Sequence, residues 1–216
     1  SEYHLAAYRE LSLDIIALCD IEHERAISRQ RAFYPQAHVY TDPDELLARK
    51  DIEVVDIATH ASERAAIIEN ALKARKHVLS QKPFVLNLSE GRRLADLADA
   101  QGVHLAVNQN GRWAPHFAWM RAAIAQGLIG SVGSADFTLQ WDHTWIAKTP
   151  FNEVRHVILY DFAIHWFDIC TAFFGNRDAT RVSASIASLP EQATTPPMLA
   201  HVIIEYPNGQ ATMSFN

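Results

Sequence analysis

Two segments, far apart in the sequence, carry side chains able to move a proton. Lys82 lies in the segment Ser80-Gln81-Lys82-Pro83, directly after a predicted strand. Asp161 and His165 are four residues apart in a predicted helix, which places them on one helical face. A lysine can polarise a substrate hydroxyl, and a histidine is the commonest general acid or base. These residue types therefore predict a proton-transfer site built from distant parts of the chain.

Each of these residues also has an interpretation without chemistry. Lysine most often lies solvated on a protein surface, although Pro83 restricts Lys82 to extended backbone. The helix around Asp161 and His165 is otherwise apolar, and ionisable groups in such a helix must be paired or face a cavity. A structural Asp–His pair inside the core is therefore the alternative to a catalytic pair.

The elements that would position Lys82 follow a regular alternation up to residue 107. Apolar runs typical of buried strands are separated by amphipathic helices, and they lie at residues 13–19, 54–58, 76–79 and 104–107. This alternation is typical of a parallel sheet covered on both faces, and a doubly wound nucleotide-binding fold is the leading topology. We assign residues 1–108 to this α/β domain.

The pattern changes in the second half of the chain, where few helices separate the predicted strands. Helices are predicted near residues 116–126 and 159–174, and strands near 132–141, 181–188, 199–206 and 211–215. Asn-Gly at the end of Pro207-Asn208-Gly209 is a strong hairpin signal. Residues 109–216 are therefore expected to form a second domain, with an open, mostly antiparallel sheet and helices on one side.

The start of the sequence differs from that of a doubly wound nucleotide-binding domain. Such a domain begins with a strand and a Gly-rich turn, whereas this sequence begins with a predicted helix at residues 1–11. The absent strand would occupy the centre of the sheet, and its neighbours need it as a hydrogen-bonding partner. We therefore expect that the functional polypeptide has a further segment before these 216 residues, and that the sequence is incomplete at its end as well. The alternative is an inactive fragment.

Composition narrows the class of protein. The formal net charge of −6 leaves no basic surplus to neutralise phosphates, which argues against a nucleic-acid-coating protein. No apolar run approaches the ~18 residues of a membrane span, and no signal peptide opens the sequence. Cys19 and Cys170 lie in apolar runs and are expected to be reduced core thiols of a cytoplasmic protein. The histidines show no paired spacing such as HExxH, so no metal site is expected.

Polar residues at the ends of two predicted strands suit a nucleotide. Asp20, followed by Ile21, ends one strand, where an acidic side chain would bond the adenosine ribose hydroxyls and repel the 2′-phosphate of NADP. Thr59, His60 and Ser62 follow the next long strand, where small and hydroxylated residues let a ligand approach the backbone. The alternative in both places is capping of the helix that follows.

These residues, with their spacing, resemble the Gfo/Idh/MocA family of NAD(P)-dependent sugar and polyol oxidoreductases. The resemblance covers essentially the whole chain. It is carried by His4-Leu5, Ala17-Leu18-Cys19-Asp20, Asp56-Ile57-Ala58-Thr59, Lys76-His77-Val78-Leu79-Ser80-Gln81-Lys82-Pro83, Asn110-Gly111-Arg112-Trp113-Ala114-Pro115 and Asp161-Phe162-Ala163-Ile164-His165. It implies a Rossmann domain followed by a domain whose large open sheet makes the oligomer interface. NAD is the expected cofactor, with NADP the less favoured one.

The resemblance also implies roles for individual residues. Lys82 would be the catalytic lysine, Asp161 a substrate-holding carboxylate and His165 the proton-transfer residue. The cofactor-binding candidates are Asp20, Ile21, Thr59, His60, Ser62, Gln81, Lys82 and Asn110. The other substrate-binding candidates are Arg112, Trp141, Asp142 and His143.

The sequence departs from the family pattern at three places. Gln81 stands where the family has a glutamate before the lysine, which removes a charge that could tune Lys82. His60 stands where a proline is usual, and Leu159-Tyr160 replaces a glycine pair before the helical aspartate.

The combined prediction is an enzyme that transfers a hydride between a nicotinamide cofactor and a secondary hydroxyl of a sugar, polyol or related small molecule. A cytoplasmic homo-oligomer, dimer or tetramer, is expected, with no nucleic acid or membrane partner. A non-catalytic NAD-binding sensor on the same fold is the first alternative, since fold does not fix function. A scaffolding protein and a metal-dependent sugar isomerase or hydrolase are the others.

Overall fold

A computed structural model describes residues 2–216, and it forms two compact units with their boundary between Asn108 and Gln109. The first unit holds helices α1 (Glu2–Glu10), α2 (His23–Phe33), α3 (Pro43–Leu47), α4 (Ala61–Lys73) and α5 (Leu88–Gln101), and strands β1 (Ala17–Cys19), β2 (His38–Tyr40), β3 (Val54–Ile57), β4 (His77–Gln81) and β5 (Leu105–Asn108). All strand pairs in this unit are parallel. The predicted alternation of helices with parallel strands is therefore confirmed. The strands form two sheets, β1-β2 and β3-β4-β5.

Helix ends in the first unit are set by capping side chains, a proline and a glycine, and one capping interpretation given above is wrong. Pro43 begins α3 after an Asp42 cap, and Gly102 ends α5 with a φ of 68°, both as the sequence indicates. Asn87 caps α5, because its side chain accepts a hydrogen bond from the backbone N–H of Ser89. His60 is the first residue before α4 and makes no side-chain cap, so the capping interpretation of Thr59 and Ser62 is wrong.

The core of the first unit lies where α4 and α5 cover β3, β4 and β5. Ile68, Leu72 and Leu94 are fully buried there, against Ile57 and Val78 of the strands. Full burial of each large aliphatic side chain contributes about 1.5–3 kcal/mol. This packing fixes the carboxyl ends of the strands, where the candidate residues lie.

The second unit is built on a mixed sheet. It holds helices α6 (Pro115–Ala125) and α7 (Ile164–Phe173), strands β6 (Ser134–Leu139), β7 (Arg181–Ala187), β8 (Leu199–Tyr206) and β9 (Gly209–Phe215), 3₁₀ turns at Asn110–Trp113, Thr144–Lys148 and Pro150–Glu153, and a π-helical turn at Ile158–Phe162. The strand order is β6-β9-β8-β7. β7, β8 and β9 are antiparallel, as predicted, whereas β6 pairs with β9 in parallel.

Within the second unit, residues 109–216 cover only one face of this sheet. On that face Val202, Met213 and Phe215 pack with Cys170 and Phe174 of the α7 region in one continuous core. Alternate residues of β8 point the other way, as expected for a period of two, and they are exposed or half-buried. The second face therefore presents polar and small side chains, with Ile203 among them.

The predicted β8–β9 hairpin is confirmed. Tyr206 pairs with Gly209, so the two loop residues are Pro207 and Asn208, inside the predicted joining segment. Gly209 is required for space: a Cβ there would lie 2.6 Å from the Gly133 carbonyl oxygen and 2.8 Å from the Phe174 ring. Close approach of a neighbouring segment, and not turn geometry, therefore explains this glycine.

The predicted helix at residues 159–174 is also not continuous. Ala163 donates its backbone N–H to Ile158 O at 2.9 Å, five residues back, and the regular α7 begins only at Ile164. Asp161 therefore lies in the π-helical turn and His165 in the first turn of α7. The prediction of one regular helix over residues 159–174 is therefore wrong, because a π-helical turn holds more residues than an α-helical one. That the two side chains share one face stays a prediction.

Two expectations drawn from composition have different outcomes. Cys170 is buried, as expected for a core thiol, but Cys19 at the end of β1 is exposed. The prediction for Cys19 is wrong because β1 covers only three residues and its last side chain is not enclosed.

None of the helices in residues 2–216 is long and apolar enough to cross a membrane.

Candidate functional site

The candidate residues of the first unit lie at the carboxyl ends of β3 and β4. Thr59 follows β3, Gln81 ends β4 and Lys82 comes next. The carboxyl ends of parallel strands meet at one edge of the sheet, which is where α/β folds bind ligands. Lys82 is joined to Pro83 by a cis peptide bond. The structure therefore brings Thr59, Gln81 and Lys82 to one edge.

Arg64 holds this edge together, and the sequence prediction missed it. The side chain is only 3% exposed. Its Nη1 donates to the carbonyl oxygen of Gln81 at 2.7 Å and also to that of Pro83, while Nη2 donates to that of Thr59. The two carbonyl groups that flank Lys82 are thus bound to one guanidinium. Because Arg64 also reaches the end of β3, it ties the Lys82 segment to the neighbouring strand.

Asp20 follows β1 but does not cap α2. Its Oδ1 accepts a hydrogen bond from the backbone N–H of Glu22 at 2.9 Å, and Glu22 is the residue before α2. The Arg25 guanidinium lies 3.7 Å from Oδ2. A carboxylate has about four acceptor positions, so Asp20 keeps capacity for a further donor. Ile21, next to it, is exposed.

In the second unit, the 3₁₀ turn at Asn110–Trp113 packs against α7. A Cβ on Gly111 would lie 3.1 Å from Nδ1, 3.2 Å from Cβ and 3.3 Å from Cγ of His165. These distances are shorter than ordinary van der Waals contacts, so the imidazole lies directly on the glycine. Gly111 is thus a second residue of the candidate site that the sequence prediction did not assign, and it makes room for the His165 ring.

An ion pair fastens the same turn to α7. Arg112 donates from Nε to Asp168 Oδ2 at 2.7 Å and from Nη2 to Asp168 Oδ1. This hydrogen bonding raises the pKa of Arg112 above its usual value. A guanidinium that makes two parallel hydrogen bonds to one carboxylate holds a fixed orientation in addition to the attraction between the charges. Arg112, a candidate for substrate binding, therefore positions Gly111 and α7, and contact with a substrate stays a prediction.

His143 is buried among aromatic rings. It is 8% exposed, and its ring stacks on Phe162 at a centroid distance of 4.6 Å with an angle of 15°. Neither ring nitrogen has a hydrogen-bond partner within residues 2–216. Trp141, which is 64% exposed, and Trp145 extend the aromatic cluster toward solvent. The cluster offers apolar surface next to a histidine with unused hydrogen-bonding capacity.

Burial lowers the pKa of His143, and the neighbouring Asp142 opposes that shift. As pH falls through about 6.5, the unfolded chain binds a proton at this residue that the folded protein does not. The free energy of unfolding should therefore decrease between pH 7.5 and pH 5.5, and His143→Phe should reduce that decrease while keeping the stack. Urea unfolding of wild type and His143→Phe at pH 7.5 and pH 5.5 measures the free energy of unfolding. The exposed His23→Phe is the control, and equal pH dependence in His143→Phe and wild type would contradict the expectation.

Asp142 has a local structural role. Its Oδ1 accepts from the backbone N–H and hydroxyl of Thr144 at 2.9 and 2.6 Å, and these bonds lower its pKa. It thereby starts the 3₁₀ turn at Thr144–Lys148, and its assignment to substrate binding stays a prediction. Residues 2–216 contain no group of three or more His, Cys, Asp or Glu side chains arranged to hold a metal ion.

Two family profiles match the chain almost end to end. One, described as an oxidoreductase family with an NAD-binding Rossmann fold, matches residues 1–109. The other, described as the GFO/IDH/MocA C-terminal domain, matches residues 117–216. The chain belongs to the Gfo/Idh/MocA oxidoreductase family.

Relatives within the Gfo/Idh/MocA family include sugar and polyol dehydrogenases. A D-apiose dehydrogenase from Paraburkholderia graminis is 32% identical over 188 residues, which are 86% of this chain and 49% of that protein. The scyllo-inositol 2-dehydrogenase (NADP(+)) IolW from Bacillus subtilis is 26% identical over 185 residues, 83% of this chain and 50% of that protein. The chain thus spans about half the length of these relatives.

Solved structures agree on the Gfo/Idh/MocA fold. An oxidoreductase from Agrobacterium radiobacter, crystallised in complex with NAD+, L-tartaric acid and magnesium, superimposes with a TM-score of 0.88. The two are 22% identical, and the match covers all of this chain and 62% of that one. At this identity the likeness supports the fold. The predicted Rossmann-like α/β fold class and the family resemblance are both confirmed.

Proposed function

We propose that the whole protein is an NAD-dependent oxidoreductase that acts on a secondary hydroxyl of a sugar, polyol or related small molecule. Family membership and the names of the relatives support the reaction class and the substrate class. The observation that carries the proposal in this chain is the clamped Lys82 segment at the carboxyl edge of the parallel strands. We assign residues 1–108 to cofactor binding and residues 109–216 to substrate binding and assembly.

The proposed roles follow the chemistry of each side chain. Lys82 donates a hydrogen bond to the substrate oxygen and stabilises negative charge on it, His165 takes or returns the hydroxyl proton, and Asp161 holds a neighbouring hydroxyl. The nicotinamide supplies the hydride chemistry when bound. The other residues proposed for cofactor binding are Asp20, Ile21, Thr59, His60, Ser62, Gln81 and Asn110, and the others proposed for substrate binding are Arg112, Trp141, Asp142 and His143.

The residues of the first unit fit a dinucleotide. Asp20 presents a carboxylate with free acceptor capacity at the end of β1, suited to two ribose hydroxyls. Thr59 and Lys82 lie at the ends of neighbouring strands, where a nicotinamide ribose would need donors. The negative charge of Asp20 and of nearby Glu22 disfavours a 2′-phosphate, which supports NAD over NADP.

Asp20→Ala should therefore change cofactor preference. Loss of the two ribose hydrogen bonds should weaken NAD binding about tenfold or more, while loss of repulsion should leave NADP binding unchanged or tighter. Titration calorimetry with each dinucleotide measures both affinities. Asp14→Ala, at an exposed site before β1, is the matched control. An unchanged ratio of NAD to NADP affinity would remove Asp20 from the cofactor site.

Gly111→Ala should lower turnover through His165. The added methyl group displaces the imidazole by a few tenths of an ångström or more, and misplacement of a reacting group by about 1 Å can cost 10²-fold. We expect a fall in kcat of about tenfold or more with NAD affinity unchanged. Gly133→Ala is the control, because a Cβ there meets no atom within 4 Å. Equal kcat in the two variants would contradict the expected role of the Gly111–His165 contact.

The experiment that tests the proposed function is a screen for nicotinamide absorbance. The whole protein is incubated with sugars and polyols, once with NAD and once with NADP. Reduction of NAD, coupled to oxidation of at least one of these substrates, supports the proposal. Turnover that requires a divalent metal and no dinucleotide would overturn it.

Gln81 favours a second candidate function, a dinucleotide-binding sensor without turnover. It replaces the glutamate that the family has before the lysine, and its amide is engaged with its neighbours instead of presenting a charge. Tight NAD binding without reduction across the whole panel would favour the sensor. Absence of dinucleotide binding would favour a scaffolding protein instead.

We also propose a cytoplasmic homo-oligomer that uses the uncovered face of the second unit's sheet. That face carries Ile203 among small and hydroxylated side chains such as Ser183, Thr212 and Ser214, which can approach a second sheet closely. Ile203→Lys should shift the molecular mass measured by light scattering toward the monomer. An unchanged mass would place the interface elsewhere.

A further inference from the structure

The ring of His4 is enclosed in a polar network that the roles above do not use. His4 lies in α1, and its side chain is 12% exposed. Its Nδ1 lies 2.6 Å from Asp56 Oδ2 of β3. Its Nε2 lies 3.3 Å from Gln81 Nε2 and 3.2 Å from Asn108 Nδ2, at the ends of β4 and β5. One imidazole therefore contacts all three strands of the β3-β4-β5 sheet.

The hydrogen bonds of Gln81 fix the orientation of its amide. Gln81 Oε1 accepts the backbone N–H of Lys82 at 2.7 Å. Since the oxygen faces that donor, the NH₂ group faces His4. Asn108 likewise presents its NH₂ group to the same ring nitrogen. Because the NH₂ groups of Gln81 and Asn108 both point at Nε2 of His4, this nitrogen must accept their hydrogen bonds. It therefore carries a lone pair and no proton.

The hydrogen-bond partner of Nδ1 shows where the proton of the His4 ring lies. An imidazole whose Nε2 accepts must carry its proton on Nδ1, where it donates to the Asp56 carboxylate. Tyr8, one turn further along α1, donates its hydroxyl to the same Asp56 oxygen at 3.0 Å. Asp56 thus sets the tautomer of His4, in the way that a second partner commonly sets the tautomer of a functional histidine.

We propose that His4 is a positioning residue for Lys82, as an Nδ1–H tautomer that holds the Gln81 side chain and, through it, the Lys82 backbone N–H. This inference rests on the proposed function, because His4 affects turnover only through the part that the Lys82 side chain takes in the reaction. It also explains why a neutral side chain suits position 81. A carboxylate there would face the lone pair of Nε2, and the pair would bind only after the ring took up a second proton.

The tautomer is tested first, by a measurement that needs no turnover. The whole protein is labelled with ¹⁵N-histidine, and the His4 signals are assigned by their loss in His4→Phe. We expect a protonated Nδ1 and an unprotonated Nε2. An Nε2–H tautomer would overturn the proposal. Gln81→Glu should convert the ring to a form with protons on both nitrogens.

Kinetics test the link to Lys82. His4→Phe should lower kcat about tenfold and raise the KM for NAD by a smaller factor, because the Lys82 segment is displaced while the proposed Asp20 contact to the cofactor is not. His4→Gln, whose side-chain oxygen can still accept from Gln81, should recover part of the lost kcat. The exposed His23→Phe is the matched control, with its side chain 59% accessible.

The outcomes separate this inference from the proposed function. If wild type turns over substrate and His4→Phe has the same kcat, His4 is not a positioning residue and the proposed function stands. If wild type fails to reduce NAD with every substrate tested, the proposed function fails. The imidazole signals still decide the tautomer in that case. If His4→Phe does not fold, His4→Gln and the wild-type spectrum decide the inference.

Discussion

Lys82→Met and His165→Asn are each expected to lower kcat of the whole protein by about a thousandfold. Positioned acid–base groups contribute roughly 10²–10⁴-fold to proton-transfer steps, and no other group in the proposed mechanism has the same role. NAD affinity should stay within a few-fold of wild type, because neither change removes the Asp20 carboxylate. Stopped-flow single turnovers with a substrate from the screen measure the effect on the chemical step.

Matched variants make this result specific. Lys50→Met and His23→Asn remove the same side-chain types at exposed positions and should leave kcat unchanged. Thermal unfolding of all four proteins checks that the folded fraction is equal. Wild-type kcat in either Lys82→Met or His165→Asn would exclude that residue from proton transfer. Loss of NAD binding in Lys82→Met would assign the lysine to cofactor binding instead.

Arg64→Met is expected to lower the free energy of unfolding by about 3 kcal/mol or more. The change removes the guanidinium donor from three buried or partly buried carbonyl groups, those of Thr59, Gln81 and Pro83, and each unsatisfied buried acceptor costs about 1–3 kcal/mol. Gln81 O keeps one hydrogen bond, from Ser80 Oγ. Urea unfolding followed by circular dichroism measures this loss. Arg92→Met, on the exposed side of α5, should change stability by less than about 0.5 kcal/mol.

Arg64→Lys separates stability from positioning. A lysine keeps the charge but presents one compact donor group instead of a planar fork, so it cannot reach all three carbonyls at once. We expect intermediate stability and a kcat close to that of Arg64→Met under conditions where both proteins are folded. Full wild-type kcat in Arg64→Lys would show that the charge alone, and not the fork geometry, maintains the Lys82 segment.

The fold was predictable where it depends on periodicity. Apolar runs and helix signals such as Asp42-Pro43 and Gly102 identified the parallel α/β unit, and residues 199–206 identified β8. Arg64 was missed because a charged residue in a helix is usually exposed. A signal was nevertheless present: Arg64 lies four residues before Ile68 and eight before Leu72, on the buried stripe of α4.

Other features of the candidate site could not be predicted from one sequence. The apolar pattern around Asp161 is the same for a regular helix and for one with a π-helical turn, because only the backbone hydrogen bond distinguishes them. Gly111 is a common turn residue in sequence, and its need for space arises from His165, which is far along the chain. The His4 network likewise depends on side-chain orientations at the ends of three strands.

The π-helical turn at Ile158–Phe162 has a consequence for variants that change chain length. Such a turn is equivalent to one residue inserted into an α-helix, and each α-helical residue turns the helix by about 100°. A one-residue deletion within it would let the backbone rewind into a regular helix. Asp161 lies inside this turn, so such a deletion would change the direction of its carboxylate without any substitution of the carboxylate itself.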